Sequence, residues 1–190
     1  MFGTIGFGRE NRIGTMLLNK SPVIDGYLAS SEWLISDSET VFIQMEPQKG
    51  LQATEKTILY TGFDEKNLYF AFKCLDSQST KIVANIYTRD KLEKSDDAVL
   101  VILDTYFDRR SGYVFIVNPI GTQTDMRIVD DGRSTDLNWD TPWQSAARLY
   151  EWGWVVEIAI PLTSISYNED LTEIGVNFGR IIRKNSETSY

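Results

Sequence analysis

One stretch near the middle of the chain, residues 96–119, constrains the fold more than any other. Residues 99–103 form an unbroken run of β-branched and aliphatic side chains that is too short for an independent helix. Residues 104–112 carry turn-forming polar residues and end in a glycine that tolerates a positive φ. Residues 113–117 are again β-branched and aromatic. The stretch therefore predicts two long strands joined by a charged turn, with acidic residues at both ends of the first strand.

Period-two alternation of apolar residues recurs along the rest of the chain and is clearest at residues 68–74. Further strands are predicted at residues 40–45, 56–62, 81–87, 122–129, 145–150, 152–160 and 174–182. Residues 28–34 are interpreted as one helical turn that points Trp33 inward, and residues 130–143 as a long polar loop. No segment carries a helical apolar stripe over more than about two turns, and about ten closely spaced strands predict an all-β, antiparallel β-sandwich or jelly roll.

Composition excludes several functions. The 190 residues suit one domain, and their net charge of −8 argues against nucleic acid or an anionic membrane surface as a partner. The chain has no histidine, which removes Ser-His-Asp and Cys-His catalysis and histidine-ligated zinc. Its one cysteine, Cys74, cannot form an intrachain disulfide and is expected to be a small buried hydrophobe. Neither a transmembrane-length apolar run nor a signal-peptide pattern is present.

The order of short motifs resembles family 9 carbohydrate-binding modules. The matching stretches are residues 22–26 (PVIDG) followed by Trp33, residues 67–71 (NLYFA) followed by Asp76, residues 97–104 (DAVLVILD), residues 153–161 (GWVVEIAIP) and residues 174–178 (IGVNF). A narrower resemblance, to the N-terminal module of bacterial outer-membrane barrel proteins of unassigned function, is carried by Arg89-Asp90, residues 104–110, residues 115–121, Asp125 and residues 138–143.

The resemblance implies a β-sandwich of the family 9 carbohydrate-binding type (jelly-roll or immunoglobulin-like) over residues 22–187, after an irregular segment at residues 1–21. It also implies export to the periplasm, the outer membrane or the extracellular space. On this interpretation the chain is a fragment, and the C-terminal remainder of the full-length protein, such as an outer-membrane barrel, is a partner.

The expected sugar site departs from the family pattern. Well-studied members hold a terminal sugar between two tryptophans, but the position that matches one of them, near Lys94 and Ser95, has no aromatic residue. The sequence instead offers Trp139 and Trp143, which lie in a polar loop and whose rings suit stacking on the C–H faces of a sugar. The open alternative is that one or both rings close the end of the sandwich core.

Arg89, Asp90, Asp96 and Asp97 bracket a loop at one end of the central strands and are candidates for bonding sugar hydroxyls, and Asp125 and Arg127 on the neighbouring strand could join them. A structural ion-pair network is the alternative for all of them. Glu157, inside an apolar strand, is expected to form a structural salt bridge with Arg180 or Arg183.

Asp136, Asn138 and Asp140 have the D-x-N-x-D spacing of the first calcium ligands of an EF-hand loop. The glycine and the glutamate that complete such a loop are missing. A structural calcium ion at these three residues is nevertheless an expectation, because related sandwiches hold calcium in oxygen-rich loops.

The sequence therefore predicts a non-catalytic module that binds an oligo- or polysaccharide. The alternative is a structural periplasmic domain of an outer-membrane barrel protein with no sugar ligand. A third hypothesis, haem binding through Met126 or Met45, follows from other relatives of this sandwich. Glycosidases need only two carboxylates, but nothing in the sequence marks such a pair, so the chain is predicted not to be an enzyme.

Overall fold

The computed structural model describes residues 15–33, 41–91 and 95–190, which contain twelve β-strands. They are β1 (Met16–Leu17), β2 (Gln44–Glu46), β3 (Thr57–Phe63), β4 (Asn67–Leu75), β5 (Ala98–Asp104), β6 (Gly112–Val117), β7 (Gln123–Val129), β8 (Ser134–Asp136), β9 (Gln144–Tyr150), β10 (Gly153–Pro161), β11 (Gly175–Ile182) and β12 (Glu187–Ser189). Three single-turn 3₁₀ helices, Ser79–Lys81, Leu162–Ser164 and Arg183–Asn185, connect some of them.

The strands form two sheets packed face to face, which confirms the predicted β-sandwich. The first sheet has five strands in the order β1-β3-β4-β10-β9, and the second has seven in the order β2-β12-β11-β5-β6-β7-β8. Neighbouring strands are antiparallel except for β1, which pairs parallel to β3. The first sheet contact at Met16 thus precedes the expected domain start at residue 22.

The apolar run in β5 is unbroken because both faces of this central strand are covered. Val99, Val101 and Leu103 point into the core between the sheets, whereas Leu100 and Ile102 belong to a second apolar cluster on the outer face. Met126 is buried in that outer cluster. Cys74 is fully buried in the main core, as expected, and burial raises the pKa of its thiol to about 11.

Part of the outer face of the five-stranded sheet, around Tyr69, Ala71 and Ala159, is covered by residues 15–33. Trp33 lies in a hydrogen-bonded turn, where its N–H donates to the carbonyl of Ala29 at 3.2 Å, and its ring is buried against β4 and β10. This confirms the expected inward turn for its described part, since Leu34 lies outside the described residues.

Glu157 fastens this covering segment to the sheet. Its fully buried carboxylate accepts hydrogen bonds from the indole Nε1 of Trp33 (2.8 Å) and from the backbone N–H groups of Asp25 (3.0 Å) and Gly26 (2.7 Å). The predicted salt bridge from Glu157 to Arg180 or Arg183 is therefore wrong. Arg180 lies on the far sheet, where it donates to backbone carbonyls and to Thr57 at the end of the sandwich.

The predicted strand at residues 81–87 does not form, because two carboxylates take the hydrogen bonds that a sheet neighbour would have taken. After the 3₁₀ turn Ser79–Lys81 the chain is irregular. Asp97 accepts the N–H of Val83 at 2.6 Å, and Asp96 accepts the N–H groups of Asn85 and Ile86, both at 2.9 Å. Asp96 and Asp97 are thus buried structural groups, which is the alternative that the sequence left open.

Two smaller differences concern loops. The predicted polar loop at residues 130–143 contains the short strand β8, which pairs with β7. Of the strand expected at residues 40–45, only Gln44–Glu46 is a regular strand, and residue 40 lies outside the described residues. No helix among the described residues is long and apolar enough to cross a membrane.

Candidate functional site

Three of the predicted sugar-binding and metal-binding residues, all carboxylates, converge on the guanidinium group of a fourth, Arg89. The Nη2 atom of Arg89 lies 2.6 Å from Asp125 Oδ1 and 2.7 Å from Asp140 Oδ1, and its Nε atom lies 3.4 Å from Asp90 Oδ2. Nη1 donates to the side-chain oxygen of Gln123 at 2.8 Å. These residues are far apart in the sequence, and the hydrogen bond from the backbone N–H of Asp90 to the carbonyl of Gln123 (3.0 Å), at the start of β7, helps to bring them together.

Asp125 is the buried member of this cluster. Its two oxygens accept hydrogen bonds from Arg89, from the indole Nε1 of Trp143 (3.0 Å) and from the backbone N–H of Thr141 (3.0 Å). Burial raises the pKa of Asp125 above its ordinary value, although the Trp143 hydrogen bond and the charge of Arg89 act in the opposite direction. Its hydrogen-bonding capacity is used within the protein, so the carboxylates of this cluster that solvent can reach are those of Asp140 and Asp90, whose side chains are 70% and 38% exposed.

Trp143 takes the core alternative. Only 6% of the residue is exposed, and its ring packs edge-on against Phe115, with 5.1 Å between the ring centroids. A sugar therefore cannot stack on this ring as predicted, because the ring closes the end of the core between β6 and β9 and neither face is free.

Trp139 and Arg127 lie in a second place, beside Tyr113 of β6. Trp139 is half-buried at the edge of the main core, and its ring centroid is 4.8 Å from that of Tyr113. Arg127 is directly opposite Tyr113 in the β6–β7 pair and directly opposite Asp136 in the β7–β8 pair, and its guanidinium lies 3.6 Å from the Asp136 carboxylate. The predicted binding set is thus divided between the Arg89 cluster and this second place.

A cleft of about 260 Å³ opens beside Arg127, between the loop after β5 and strands β6 and β7. Its lining includes two tyrosines, three small hydroxyl residues and one cation: Tyr106, Tyr113, Thr105, Ser111, Ser166 and Arg127. Apart from Arg127, the sequence analysis missed these residues, since it treated residues 104–112 as a turn. The available signal was the aromatic pair Tyr106-Phe107 within an otherwise polar turn.

Local hydrogen bonds hold the cleft in shape. The Asp104 carboxylate accepts the backbone N–H groups of Asp108 (3.1 Å) and Arg109 (2.7 Å), and Arg109 itself adopts a left-handed backbone with φ of 58°. On the opposite wall, Thr105 donates its hydroxyl to the Ser166 carbonyl at 2.6 Å. Tyr106 is left 45% exposed at the rim. A rigid, partly aromatic cleft of this kind suits a small polar ligand with apolar faces.

The carboxylates do not form the expected calcium site. Asp136 forms an ion pair with Arg127, and Asp140 forms one with Arg89. The two predicted carboxylate ligands are therefore directed to different arginines and not to one shared metal position. A different set, Asp90, Asp125 and Asp140, brings one oxygen from each within 4.8 Å of the others. Arg89 already contacts all three carboxylates, and therefore supplies the positive charge that a calcium ion would bring. The donor set as arranged does not fit calcium.

The fold and the site together define a two-sheet β-sandwich with an aromatic-edged cleft beside Arg127. Two solved structures of a family 9 carbohydrate-binding module from Caldicellulosiruptor kristjanssonii, in complex with cellotriose and with glucose, are similar to the chain over 92% of its length. Their TM-scores are 0.62 and 0.61, at 19% and 18% identity, and the match covers 80% and 82% of those structures.

A third solved structure, described as a candidate carbohydrate-binding protein from Bacteroides uniformis, has a TM-score of 0.60 at 13% identity, and the match covers 93% of this chain and 87% of that structure. These identities establish the fold alone.

Among curated proteins, the chain is 30% identical over 170 residues to exoglucanase XynX of Acetivibrio thermocellus, a match that covers 87% of this chain. The chain spans only 14% of the length of that relative. No protein-family model matches the chain.

Proposed function

We propose that this chain is a non-catalytic carbohydrate-binding module, and that the cleft beside Arg127 holds the sugar. The observation that carries the proposal is the combination of an exposed aromatic residue, hydroxyl groups and a guanidinium around one cavity of about 260 Å³. Tyr106 offers a ring to the C–H face of a sugar, and Arg127 and Asp136 offer a donor and an acceptor to neighbouring hydroxyls. Trp139 supports Tyr113 from behind.

The comparisons support this proposal. The solved family 9 module with the same fold is in complex with cellotriose, and the curated relative is named an exoglucanase. We therefore propose β-linked glucan or xylan oligosaccharides as the first ligands to try. The site proposed here does not need the tryptophan that is missing near Ser95.

Isothermal titration calorimetry with cello- and xylo-oligosaccharides tests the assignment. Tyr106→Ala and Arg127→Ala should each weaken binding about tenfold or more, as expected for an aromatic or arginine anchor of an interface. Tyr87→Ala is the matched control, because Tyr87 is 79% exposed and does not line the cleft. Equal losses from Tyr106→Ala and Tyr87→Ala, or unchanged affinity in both cleft variants, would refute the site.

We also propose that the protein acts outside the cytoplasm and that the chain is part of a longer protein, because polysaccharides occur outside the cell and the curated relative is much longer. Fractionation of cells that express the full-length protein tests its location.

One observation favours the alternative of a structural domain without a sugar ligand. Trp143, Asp125 and Arg89, which were expected to bind sugar, all have structural partners within the protein. If no oligosaccharide binds in the titration, the better explanation is that the chain is a structural domain attached to a membrane barrel or to another partner domain.

A further inference from the structure

A basic and aromatic surface lies on the outer face of the five-stranded sheet, away from the cleft. Lys73 of β4 and Arg148 of β9 are both directly opposite Val155 of β10, so all three side chains point to the same face. The two cations are separated by one strand, which places their Cα atoms about 10 Å apart. We call the surface formed by Lys73, Arg148, Tyr150 and Trp152 the hairpin patch.

The aromatic part of the hairpin patch is rigid. The rings of Tyr150 and Trp152 stack with 4.7 Å between their centroids and 12° between their planes. The Tyr150 hydroxyl donates to the carbonyl of Gly26 at 2.9 Å, and the carbonyl of Trp152 accepts the N–H of Asp76 at 3.0 Å. Trp152 is still 37% exposed. The position of these rings is therefore set before any ligand arrives, which lowers the entropic cost of binding.

The cations of the hairpin patch are not neutralised within the part of the chain that the structure describes. Neither Lys73 nor Arg148 has a carboxylate within 4.0 Å there, whereas Arg89, Arg110, Arg127 and Lys184 all do. The Lys73 ammonium instead lies 5.1 Å from the centre of the Trp152 ring, in cation–π contact. In a chain with a net charge of −8, two uncompensated cations beside a fixed aromatic pair form a local anion-binding surface.

We propose that the hairpin patch binds glycans that carry carboxylates, that is, chains of uronic acids. Arg148 would bind one carboxylate through its planar guanidinium, Lys73 would bind a neighbouring carboxylate as a point charge, and the exposed edge of Trp152 would contact the sugar C–H groups between them. A double-stranded nucleic acid is a poorer candidate, because it carries about one negative charge per 1.7 Å of its axis, whereas a uronic acid chain carries one carboxylate per sugar and is repelled less by the rest of this acidic chain. The inference does not depend on the cleft, since the two surfaces share no residue.

Calorimetry and affinity electrophoresis with oligogalacturonate and polygalacturonate, against cello-oligosaccharides of equal length, test this proposal. The double variant Lys73→Gln/Arg148→Gln should lose oligogalacturonate binding by about tenfold or more per residue replaced. It should keep the binding of neutral sugar and an unchanged melting temperature. Trp152→Ala should weaken uronate binding as well, and added salt should weaken it in the unmodified protein.

The matched control is Lys49→Gln/Lys66→Gln, which changes the net charge by the same amount at two exposed lysines elsewhere. If this control loses as much affinity as the patch variant, the attraction is general and the proposal is wrong. It is also wrong if uronate binds no better than neutral sugar of equal length. The cleft variants Tyr106→Ala and Arg127→Ala should retain uronate binding, so failure of the cleft assignment and failure of this one can be told apart.

Discussion

Replacing Glu157 with alanine should be among the most destabilising single changes in the protein. The carboxylate is fully buried and accepts three hydrogen bonds, which hold the segment ending at Trp33 against the five-stranded sheet. Truncation leaves the backbone N–H groups of Asp25 and Gly26 and the indole N–H without partners. Each buried donor left without a partner lowers the free energy of unfolding by about 1 to 3 kcal/mol, and removing the desolvation cost of the buried charge offsets part of this. We therefore expect the free energy of unfolding to fall by about 4 kcal/mol.

Urea unfolding followed by tryptophan fluorescence and circular dichroism measures this loss. Trp33→Phe is the matched variant, because it removes one of the three donors and keeps an aromatic ring; it should cost about 1.5 kcal/mol. A loss below about 1 kcal/mol for Glu157→Ala would show that water replaces the three hydrogen bonds and would refute the reasoning.

The same group has a defined pH signature. Burial raises the pKa of Glu157 above its ordinary value, although the hydrogen bonds from Trp33, Asp25 and Gly26 oppose the rise. The folded state therefore holds this proton more tightly than the unfolded state. The resulting contribution to stability is complete below the unfolded pKa and is lost as the pH rises through the raised folded pKa. Glu157→Gln should remove this component from the pH dependence of the free energy of unfolding.

Three further predictions concern other parts of the fold. Arg89→Ala leaves Asp125 buried without its counter-ion and should lower the free energy of unfolding, measured in urea, by about 3 kcal/mol. The melting temperature should respond to Ca²⁺ and EDTA only in this variant, because Arg89 no longer occupies the space between the three carboxylates; a calcium response of the unmodified protein would contradict this. Burial acts to raise the pKa of Asp64, but the hydroxyl and backbone N–H groups that donate to its carboxylate hold it well below its ordinary value, so this group stabilises the fold above the unfolded pKa and the contribution is lost as the pH falls. Asp64→Asn should therefore reduce the fall in the free energy of unfolding at acidic pH, and an unchanged pH dependence would contradict this. Gly153→Ala should destabilise the protein by about 2 kcal/mol or more in thermal melts, because residue 153 has a φ of 139° and an added Cβ atom would collide with the carbonyl of Cys74. An unchanged melting temperature would show that the β9–β10 hairpin shifts to make room and would contradict this prediction.

The strands that the sequence predicts well are those whose pattern is decided by burial alone. Large apolar side chains or the cysteine occupy every second position of residues 68–74, which lie within β4; this strand has the core on one face and, at Tyr69 and Ala71, the covering segment on the other. The unbroken apolar run at residues 99–103 lies within β5, which is covered on both faces. Both strands can be predicted from the spacing of their own apolar residues, because that spacing depends only on which of their side chains are buried.

The prediction for residues 81–87 failed for a reason that no local pattern contains. Its apolar residues suit a strand, but the backbone donors of this stretch are taken by Asp96 and Asp97, ten or more residues later in the chain. Glu157 shows the same limit. Its partners include two backbone N–H groups, which have no residue-type signature, and so the sequence suggested a charged partner instead.

The two tryptophans of residues 130–143 show why the site was harder to predict than the fold. Trp139 and Trp143 have similar neighbours in the sequence, and either ring could stack on a sugar or close the core. Their positions differ because Trp143 is enclosed in the main core and only 6% exposed, whereas Trp139 is half-buried at the edge of that core. Which of the two rings the core encloses depends on how all the strands of both sheets pack together, so the difference becomes visible only when the whole sandwich is assembled.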